Sequence, residues 1–471
     1  MGTIVRINVA RRNLPDELAV IGLNYTTGDG IHHLANIKFE FKPLWEFGRD
    51  SESTAFDFLV LSVIVYNVDR LLSRYRHSDD GWKRDITLEG VPARNADRMN
   101  AAATLYESSI SFLTGDKWTI HFSQQQPYDY NPPTNITYNR NEFSKVALFS
   151  GGLDSLIGFI DDAYSLNACE KILLISHVEQ GKEGADQNSI LKICHERAIY
   201  NGKYARIKSG VSLDRFSYVN KEPSESTFRS RSLLFFAMGI YCAHSISDQM
   251  QMIVPENGTI SINIPLNPSR RSACSTRTTH PVFITRLEKA LRSVDVNNPL
   301  FNPYRLMSKA DMVEACCRNA DKNRMFSLLY KSSCSCAKRS HNYHWDKPSD
   351  VIERDHINHC GMCLPCIYRR VALDTIGLDN PGLLGTDINH GTAYDIDNLK
   401  QVRARDYRSL LHFLRSRMSE DKIRKELKAN HITSEMGLDD YVYLVLHSYS
   451  QVISWISRKG NDTVKAIAGI R

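Results

Sequence analysis

The sequence predicts an α/β protein in which helices cover a mainly parallel sheet. Short apolar runs alternate with helical patterns from Val146 onward, and this alternation is typical of parallel sheets with helices on both faces. The first apolar run leads through a glycine turn into a helix, at residues 150–155. Closely spaced cysteines at 360–366 then indicate a small metal-binding segment.

The composition is that of an ordinary globular protein. The 471 residues suffice for two or three domains, with 24% charged and 42% hydrophobic residues. A net charge of +6 permits an anionic partner without requiring one. The first residues lack a signal-peptide pattern, and the apolar run 56–68 is too short and too polar to span a bilayer. We therefore expect a cytoplasmic protein without a membrane partner, whose eleven cysteines are thiols or metal ligands.

Residues 1–140 are predicted to form an α+β accessory or partner-binding domain. Residues 58–72 are apolar on most faces and predict a buried helix. Alternating or β-rich patterns predict strands at 37–41, 82–88 and 118–122. Three prolines within 124–140 indicate a linker.

The remaining chain divides into three predicted parts: a nucleotide-binding domain at 141–330, a cysteine-rich segment at 331–372 and a helical region at 373–471. Buried strands are predicted at 146–149, 171–176, 204–208 and 251–254. Helices are predicted at 187–199, 228–245, 407–418 and 440–456. Ligands of parallel sheets bind at the carboxyl ends of strands, where Ser150, His177 and Glu256 lie.

The glycine turn has the sequence Ser-Gly-Gly-Leu-Asp-Ser at 150–155. Gly151 and Gly152 let the backbone approach a ligand closely, and a helix N-terminus favours phosphate. No lysine follows the glycines, which disfavours a Walker loop and transfer of the γ-phosphate. The Ser-Gly-Gly-x-Asp-Ser pattern resembles the loop of ATP-pyrophosphate-releasing enzymes, which implies cleavage of ATP between the α and β phosphates, with the protein supplying positioning and charge stabilisation. An ordinary strand-to-helix turn is the alternative.

Three cysteines, Cys360, Cys363 and Cys366, follow a C-x2-C-x2-C spacing, and Cys334 or Cys336 can supply a fourth thiol. We name Cys334 as the fourth ligand. Four thiolates satisfy tetrahedral zinc and leave no open position, so the expected role is structural. An iron–sulfur cluster and buried free thiols are the alternatives.

The order of these motifs resembles the 7-cyano-7-deazaguanine synthase (QueC-like) family of the PP-loop ATP pyrophosphatase superfamily. The likeness covers about residues 144–373 and includes the glycine turn, Ser308-Lys309-Ala310-Asp311, Ser333-Cys334, the cysteine triplet and Arg369. It implies an adenine-nucleotide alpha-hydrolase-like (HUP) domain that uses ATP, Mg²⁺ and a structural Zn²⁺. That family adenylates a 7-deazaguanine carboxylate, which ammonia attacks, and a second adenylation yields the nitrile.

Roles for individual residues follow from the motif and from this resemblance. The expected catalytic residues are Ser150, Asp154, Ser155, Arg231 and Lys309. The expected nucleotide-binding residues are Ser150, Gly151, Gly152, Leu153, Asp154, Ser155 and His177. The expected substrate-binding residues are Glu256, Asn257, Arg277, Thr278 and His280. The alternatives are structural: a helix-terminal carboxylate at Asp154, a core histidine at His177 and a polar surface loop at 277–280.

Two departures from the family pattern concern the acceptor. Ser232 replaces an expected asparagine, and Ala337–His359 separate the first cysteine from the triplet. With its N-terminal region the chain looks more similar to QueC-like subunits of bacterial anti-phage defence operons, which implies partner proteins and an acceptor amine that is either ammonia or a protein N-terminus. The competing hypotheses are a tRNA-modifying PP-loop ATPase and a non-catalytic nucleotide-binding scaffold. The chain has no dense basic run with interleaved aromatics, so nucleic acid is disfavoured.

Overall fold

A computed structural model describes residues 2–9, 19–27, 30–125, 138–178, 181–216, 225, 227, 229–267, 277–339, 345–389, 404–417 and 419–470. Its strands are β1 (Thr3–Val9), β2 (Ala19–Thr26), β3 (His32–Phe39), β4 (Asp85–Ala93), β5 (Lys117–Gln124), β6 (Phe143–Leu148), β7 (Lys171–Val178), β8 (Tyr204–Phe216), β9 (Met252–Ile253) and β10 (Leu300–Phe301). They form one sheet in the order β10-β9-β6-β7-β8-β3-β2-β1-β4-β5.

The helices of the first half of the chain are α1 (Lys42–Gly48), α2 (Thr54–Leu71), α3 (Arg74–His77), α4 (Ala96–Ala101), α5 (Ala103–Thr114), α6 (Leu153–Ser165), α7 (Gly181–Glu196) and α8 (Arg231–Ile246). Those of the second half are α9 (Gly258–Ile262), α10 (Pro281–Arg292), α11 (Lys309–Cys317), α12 (Ala320–Leu329), α13 (Ser349–Arg354), α14 (Leu364–Asp374), α15 (Arg405–Arg417), α16 (Glu420–Ala429), α17 (Leu438–Lys459) and α18 (Asp462–Ala468).

The sheet is mostly parallel, which confirms the predicted α/β class. Only the pairs β1–β2, β2–β3 and β3–β8 run antiparallel among the described strands. Near the β10 end of the sheet, β6 lies between β7 and β9, and all three strands are parallel. Their carboxyl ends therefore meet at one edge of the sheet, where parallel sheets bind ligands.

The N-terminal region shares this sheet with the rest of the chain. Residues 204–210 of β8 pair parallel with β7, and residues 211–216 pair antiparallel with β3. The region predicted as a separate accessory domain thus continues the sheet of the predicted nucleotide-binding domain. Most of the predicted linker, 126–137, lies outside the described residues.

Helix α2 explains how the two halves of the sheet share one core. Ser53 caps it, since its side chain accepts a hydrogen bond from the Phe56 N–H at 3.3 Å. Nearly every residue of α2 is buried, as expected for a helix that is apolar all round. It packs against α8, and the buried side chains of both regions form one continuous cluster.

The last part of the chain is helical, as predicted. Helices α15 to α18 lie in the described part of the chain after residue 404, and α17 packs against α9, α11 and α14. Among the described residues no helix has the length and apolarity that crossing a bilayer would require.

Candidate functional site

The glycine loop connects the central strand β6 to α6 at the carboxyl edge of the sheet. Gly151 has a φ of +81°, a left-handed conformation that side chains rarely adopt. A Cβ at Gly151 would also lie 3.1 Å from the Gln187 Cγ. Gln187 in turn donates from Nε2 to the carbonyl oxygens of Ser150 at 3.4 Å and His177 at 3.3 Å. The loop therefore leaves the C-terminal end of β6, and Gln187 links it to the C-terminal end of β7. The close approach of Gln187 and the positive φ require glycine at position 151.

Several polar groups of the loop contact each other. The Gly152 N–H donates to the Ser150 Oγ at 3.3 Å, and the Ser155 hydroxyl donates to the Gly152 carbonyl at 3.0 Å. The Ser150 Oγ and Ser155 Oγ are 3.2 Å apart. The Leu153 N–H donates to the Ser335 Oγ at 3.3 Å. Hydroxyl oxygens therefore occupy the N–H groups of Gly152 and Leu153, the positions at which an anion would bind a helix N-terminus.

Asp154 lies behind the loop in a buried group that we call the loop cluster (Asp154, Glu256, Asn257, Lys309). The Lys309 ammonium is 2.5 Å from the Asp154 Oδ1, and the Asn257 Nδ2 donates to the Asp154 Oδ2 at 2.7 Å. The Asn257 Nδ2 is also 3.3 Å from the Glu256 Oε1. Four residues that the sequence analysis named are thus brought together, and they join α6, the end of β9 and α11.

The two carboxyl groups of the loop cluster titrate in opposite directions. Burial alone would raise the pKa of Asp154, but the Lys309 charge and the hydrogen bonds hold that pKa below its usual value. Burial and the neighbouring charge of Asp154 raise the pKa of Glu256 well above its usual value. Glu256 therefore keeps its proton to a higher pH than an isolated carboxyl group would, and it can donate to Asp154 while protonated or accept a cation after losing the proton.

The position of Lys309 is fixed by the start of α11. Ser308 and Asp311 form a capping box, with the Asp311 N–H donating to the Ser308 Oγ at 3.0 Å. The C-terminal helix α17 supports this cap, because the Ser308 hydroxyl donates to the Gln451 Oε1 at 2.6 Å. The His447 Nε2 lies 2.8 Å from the Asp311 Oδ1. The helical C-terminal region thus supports the loop cluster from behind.

His177 lies at the end of β7 and is fully buried. Its ring is edge-on to Tyr66 of α2 at 5.8 Å and to Phe235 of α8 at 5.4 Å. Neither ring nitrogen has a well-aligned hydrogen-bond partner among the described residues. Burial, then the charges of Arg231 and Arg70, lower the pKa of His177 to about 3, so the imidazole is neutral.

The residues expected to form a substrate loop at 277–280 contact the N-terminal region. The Arg277 guanidinium lies 4.4 Å from the centre of the Phe112 ring and donates to the Phe112 carbonyl at 2.9 Å. His280 caps α10, its Nδ1 accepting from the Val282 N–H at 3.3 Å. Burial and the Arg277 charge lower the pKa of His280 to about 3. Thr278 lies between them, and the contacts of Arg277 and His280 are those of an anchored turn.

The cysteine cluster differs from the predicted ligand set at one position. The thiols that gather are Cys336, Cys360, Cys363 and Cys366, with all four sulfurs within 4.8 Å of one another. Cys334 does not belong to this group, because its Sγ lies 3.4 Å from the Asn358 carbonyl oxygen. The fourth ligand is therefore corrected from Cys334 to Cys336.

The geometry of the cluster fits a tetrahedral metal ion such as zinc. Zn–S bonds of about 2.3 Å place two sulfurs of a tetrahedron about 3.8 Å apart, and the Cys360 Sγ is 3.8 Å from the Cys366 Sγ. The N–H groups of Met362 and Cys363 donate to the Cys360 Sγ, each at 3.3 Å, which suits a thiolate. Gly361, at φ +80°, makes this turn possible.

The segment that carries Cys336 also lies on the glycine loop. The Cys334 N–H donates to the Gly151 carbonyl oxygen at 2.9 Å, and Ser335 binds the Leu153 N–H as described above. The Ser335 N–H donates to the His359 Nε2 at 3.3 Å. Sequence reasoning missed Ser335, although its position beside Ser333-Cys334 was a signal. A metal in the cluster would hold this segment against the loop.

A cleft of about 570 Å³ opens beside the loop and the cysteine cluster. This volume is in the range of small-molecule sites. Its lining includes Asp186, Tyr330, Arg339, Cys366 and Arg369. Asp186 also lies close to Gly151, so the cleft adjoins the glycine loop.

The fold and site define an α/β protein with a glycine loop at the carboxyl edge of its sheet, next to a four-cysteine cluster that can hold a metal such as zinc. Comparison of the chain with protein-family models, with curated proteins and with solved structures gives no match.

Proposed function

We propose that this protein is a QueC-like, ATP-dependent ligase with a HUP/PP-loop domain. It adenylates a 7-deazaguanine carboxylate and transfers the acyl group to an amine. The observation that carries the proposal is the glycine loop at residues 150–155, which turns at Gly151 (φ +81°) between a central parallel strand and α6. Its position at the carboxyl edge is where such sheets bind nucleotides.

In the proposed reaction a substrate carboxylate oxygen attacks the α phosphorus of ATP. The bond from this phosphorus to the bridging oxygen breaks, and pyrophosphate leaves. The amine nitrogen then attacks the acyl carbon and loses a proton, and AMP leaves. Loop N–H groups and Lys309 would stabilise the negative charge on the phosphates, with Mg²⁺ bound by the phosphates and by Asp154 or Glu256. The zinc would be structural.

The proposed acceptor amine follows from the resemblance to defence-associated QueC-like subunits such as the QatC subunit of the Qat anti-phage system. We propose a partner protein N-terminus or ammonia as acceptor. The cleft of about 570 Å³ beside the loop is large enough to admit either one. Intact-mass measurement of co-purified partner chains separates the two acceptors, because only a protein acceptor gains mass.

The direct test is release of AMP and pyrophosphate that depends on a 7-deazaguanine carboxylic acid. Gly151→Ala should abolish this release, because a Cβ there meets Gln187 at 3.1 Å and the φ of +81° is strained. Gly202→Ala is the matched control: Gly202 has a φ of +73° with nothing within 4 Å of its Cβ position. Both variants should lose about 1 kcal/mol of unfolding free energy, but only Gly151→Ala should lose AMP release. If folded, metal-loaded protein releases no AMP with any candidate base, the proposal is overturned.

One observation favours a second candidate, a nucleotide-binding scaffold without turnover. The N–H groups of Gly152 and Leu153 are already hydrogen-bonded by the hydroxyls of Ser150 and Ser335. Ser335→Ala frees the Leu153 N–H, so a scaffold should bind ATP more tightly after the change and still release no AMP.

A further inference from the structure

The residues just before α8 are hydrogen-bonded to a buried group of charged side chains in the N-terminal region. We call this group the N-terminal ionic cluster (Asp69, Arg74, Arg84, Asp116). The Asp116 Oδ2 is 2.6 Å from the Arg84 Nη2 and 2.5 Å from the Arg74 Nη2, and Arg84 also pairs with Asp69. The relative exposures of Asp69 and Arg84 are both 0%. Such a cluster is costly to bury unless each charge is paired, as it is here.

The cluster is bonded directly to the segment that opens α8. The Asp69 Oδ2 accepts from the Ser230 N–H at 3.1 Å and from the Ser230 hydroxyl at 2.7 Å. The Arg74 Nη1 donates to the Thr227 Oγ1 at 2.8 Å, and the Arg74 backbone N–H donates to Glu225 at 3.0 Å. Three positions of the segment 225–230 are therefore held by the N-terminal region.

Ser230 immediately precedes Arg231, the first residue of α8. Arg231 lies with its guanidinium 5.7 Å from the centre of the Phe235 ring, which packs against His177. Tyr66, one turn before Asp69 on α2, closes the other side of His177. The imidazole at the carboxyl end of β7 is thus enclosed by α8 and by α2 of the N-terminal region.

We propose that α2 forms a wall of the nucleotide site and that Asp69, acting through Ser230, is a positioning residue that holds Arg231 beside His177. The inference rests on the proposed function. Both ring nitrogens of His177 are buried, and the Ser209 backbone approaches the ring without a well-aligned hydrogen bond, so a bound ligand would improve the hydrogen bonding of the imidazole. A neutral imidazole offers one donor and one acceptor, which suits the edge of a purine such as the adenine of ATP.

Ser230→Ala tests this link with a small change, because it removes the hydroxyl bond and keeps the backbone bond to Asp69. The matched control is Ser245→Ala, since the Ser245 hydroxyl donates to the Tyr241 carbonyl at 2.7 Å in the last turn of α8, at the opposite end of that helix from Arg231. A side-chain hydrogen bond such as that from Ser230 to Asp69 contributes about 1 kcal/mol, and a loss of that size changes a binding constant by up to about tenfold. We expect the Kd for α,β-methylene-ATP, and the KM for ATP, to rise about tenfold in Ser230→Ala. Ser230→Thr should restore both.

The KM for the deazaguanine acid should stay within about twofold in Ser230→Ala, and Ser245→Ala should change neither the Kd for the analogue nor the KM for ATP. If wild-type protein binds the analogue and Ser230→Ala binds it equally well, the positioning role is overturned and the proposed function stands. If both KM values rise together, Ser230 acts on the whole fold and the positioning role is again overturned. If wild-type protein neither binds nucleotide nor releases AMP, the proposed function and this inference fail together.

Discussion

The N-terminal ionic cluster and the loop cluster are both buried, yet their charges are arranged differently. In the N-terminal cluster each carboxylate faces a guanidinium, and the charges of Arg84 and Arg74 hold the pKa of Asp69 low despite its burial. In the loop cluster Lys309 pairs with Asp154, while Glu256 faces another carboxyl group and its pKa is raised. Of the two clusters, only the loop cluster contains a carboxyl group that faces another carboxyl group without a cation of its own.

This difference indicates that the N-terminal ionic cluster has a structural role and that the loop cluster is a candidate functional site. A cluster in which every charge is already paired gains no further electrostatic stabilisation from a ligand. Its role is to hold together the helices and strands that carry its residues. A carboxyl group held against a like charge can lose its proton when a cation arrives, and perturbed groups of this kind concentrate at functional sites. The four tests that follow compare the two clusters, from the largest expected effect to the smallest.

Metal removal should affect the loop and spare the N-terminal cluster. Cys336 lies in the segment that contacts Gly151 and Leu153, and structural zinc sites contribute folding energy outright. Chelation should release one metal ion and speed amide exchange at residues 150–155 by more than about tenfold, while residues 69–84 change less than about twofold. Metal analysis and hydrogen-exchange mass spectrometry measure both effects.

The variant Cys363→Ser should reproduce chelation. The exposed thiol of Cys169 provides the control, since Cys169→Ser should keep the metal and the exchange pattern. Equal loosening of the two clusters would mean that the cysteine segment stabilises the whole fold and not the loop in particular.

Asp69→Asn should cost about 3–5 kcal/mol of unfolding free energy, because it leaves Arg84 buried beside a neutral amide. Asp69 has a lowered pKa when folded, so its contribution is present above its unfolded pKa near 3.8 and is lost as the pH falls. Urea unfolding measures the change. Asp85→Asn is the control, because its partner Lys117 is exposed and such pairs contribute under about 1 kcal/mol. A loss near the control value would contradict the anchoring role.

The parts that sequence predicted best are those determined by short-range pattern. The glycine loop and the helix start at Lys309 occupy the expected edge because strand, turn and helix signals are contiguous there. Cys336 could not be separated from Cys334, since the two cysteines are only two residues apart and the choice of ligand depends on tertiary contacts such as that of the Cys334 Sγ with the Asn358 carbonyl oxygen. Arg277 and His280 were expected over the substrate, but their contacts depend on Phe112, more than 160 positions away in the chain.

The sequence also did not predict that the strands of the N-terminal region and those of residues 141–330 form one continuous sheet. β8 pairs with β7 in its first half and with β3 in its second, and nothing in residues 204–216 signals this change of partner. The strands β1 and β2 were not predicted, although side chains at residues 3–8 alternate between buried and exposed. Long-range pairing of this kind is set by tertiary packing and not by local propensity.

Lys309→Met should cost about 2–3 kcal/mol, less than the Asp69 variant, because Asp154 can take up a proton once its ammonium partner is removed. The pKa of Asp154 would then be raised, so the variant should lose more stability at pH 8 than at pH 5. AMP release should fall at least about 100-fold through the lost charge. The control is Lys322→Met, which removes a partly exposed partner of Asp161. It should change neither the free energy of unfolding nor the rate of AMP release strongly.

Glu256→Gln should give the smallest change and the opposite sign. The pKa of Glu256 is raised on folding from a usual value of 4.5, so its contribution is full below that value and is lost as the pH rises. Glutamine imitates the protonated carboxyl group at every pH. The variant should therefore match wild type at pH 4.5 and exceed it at pH 8 in urea unfolding, by about 1.4 kcal/mol for each unit by which folding raises the pKa of Glu256. A difference that is independent of pH would show that Glu256 is ionised in the fold. Higher stability combined with lost AMP release would indicate that the cluster keeps an unfavourable carboxyl group because catalysis requires its charge.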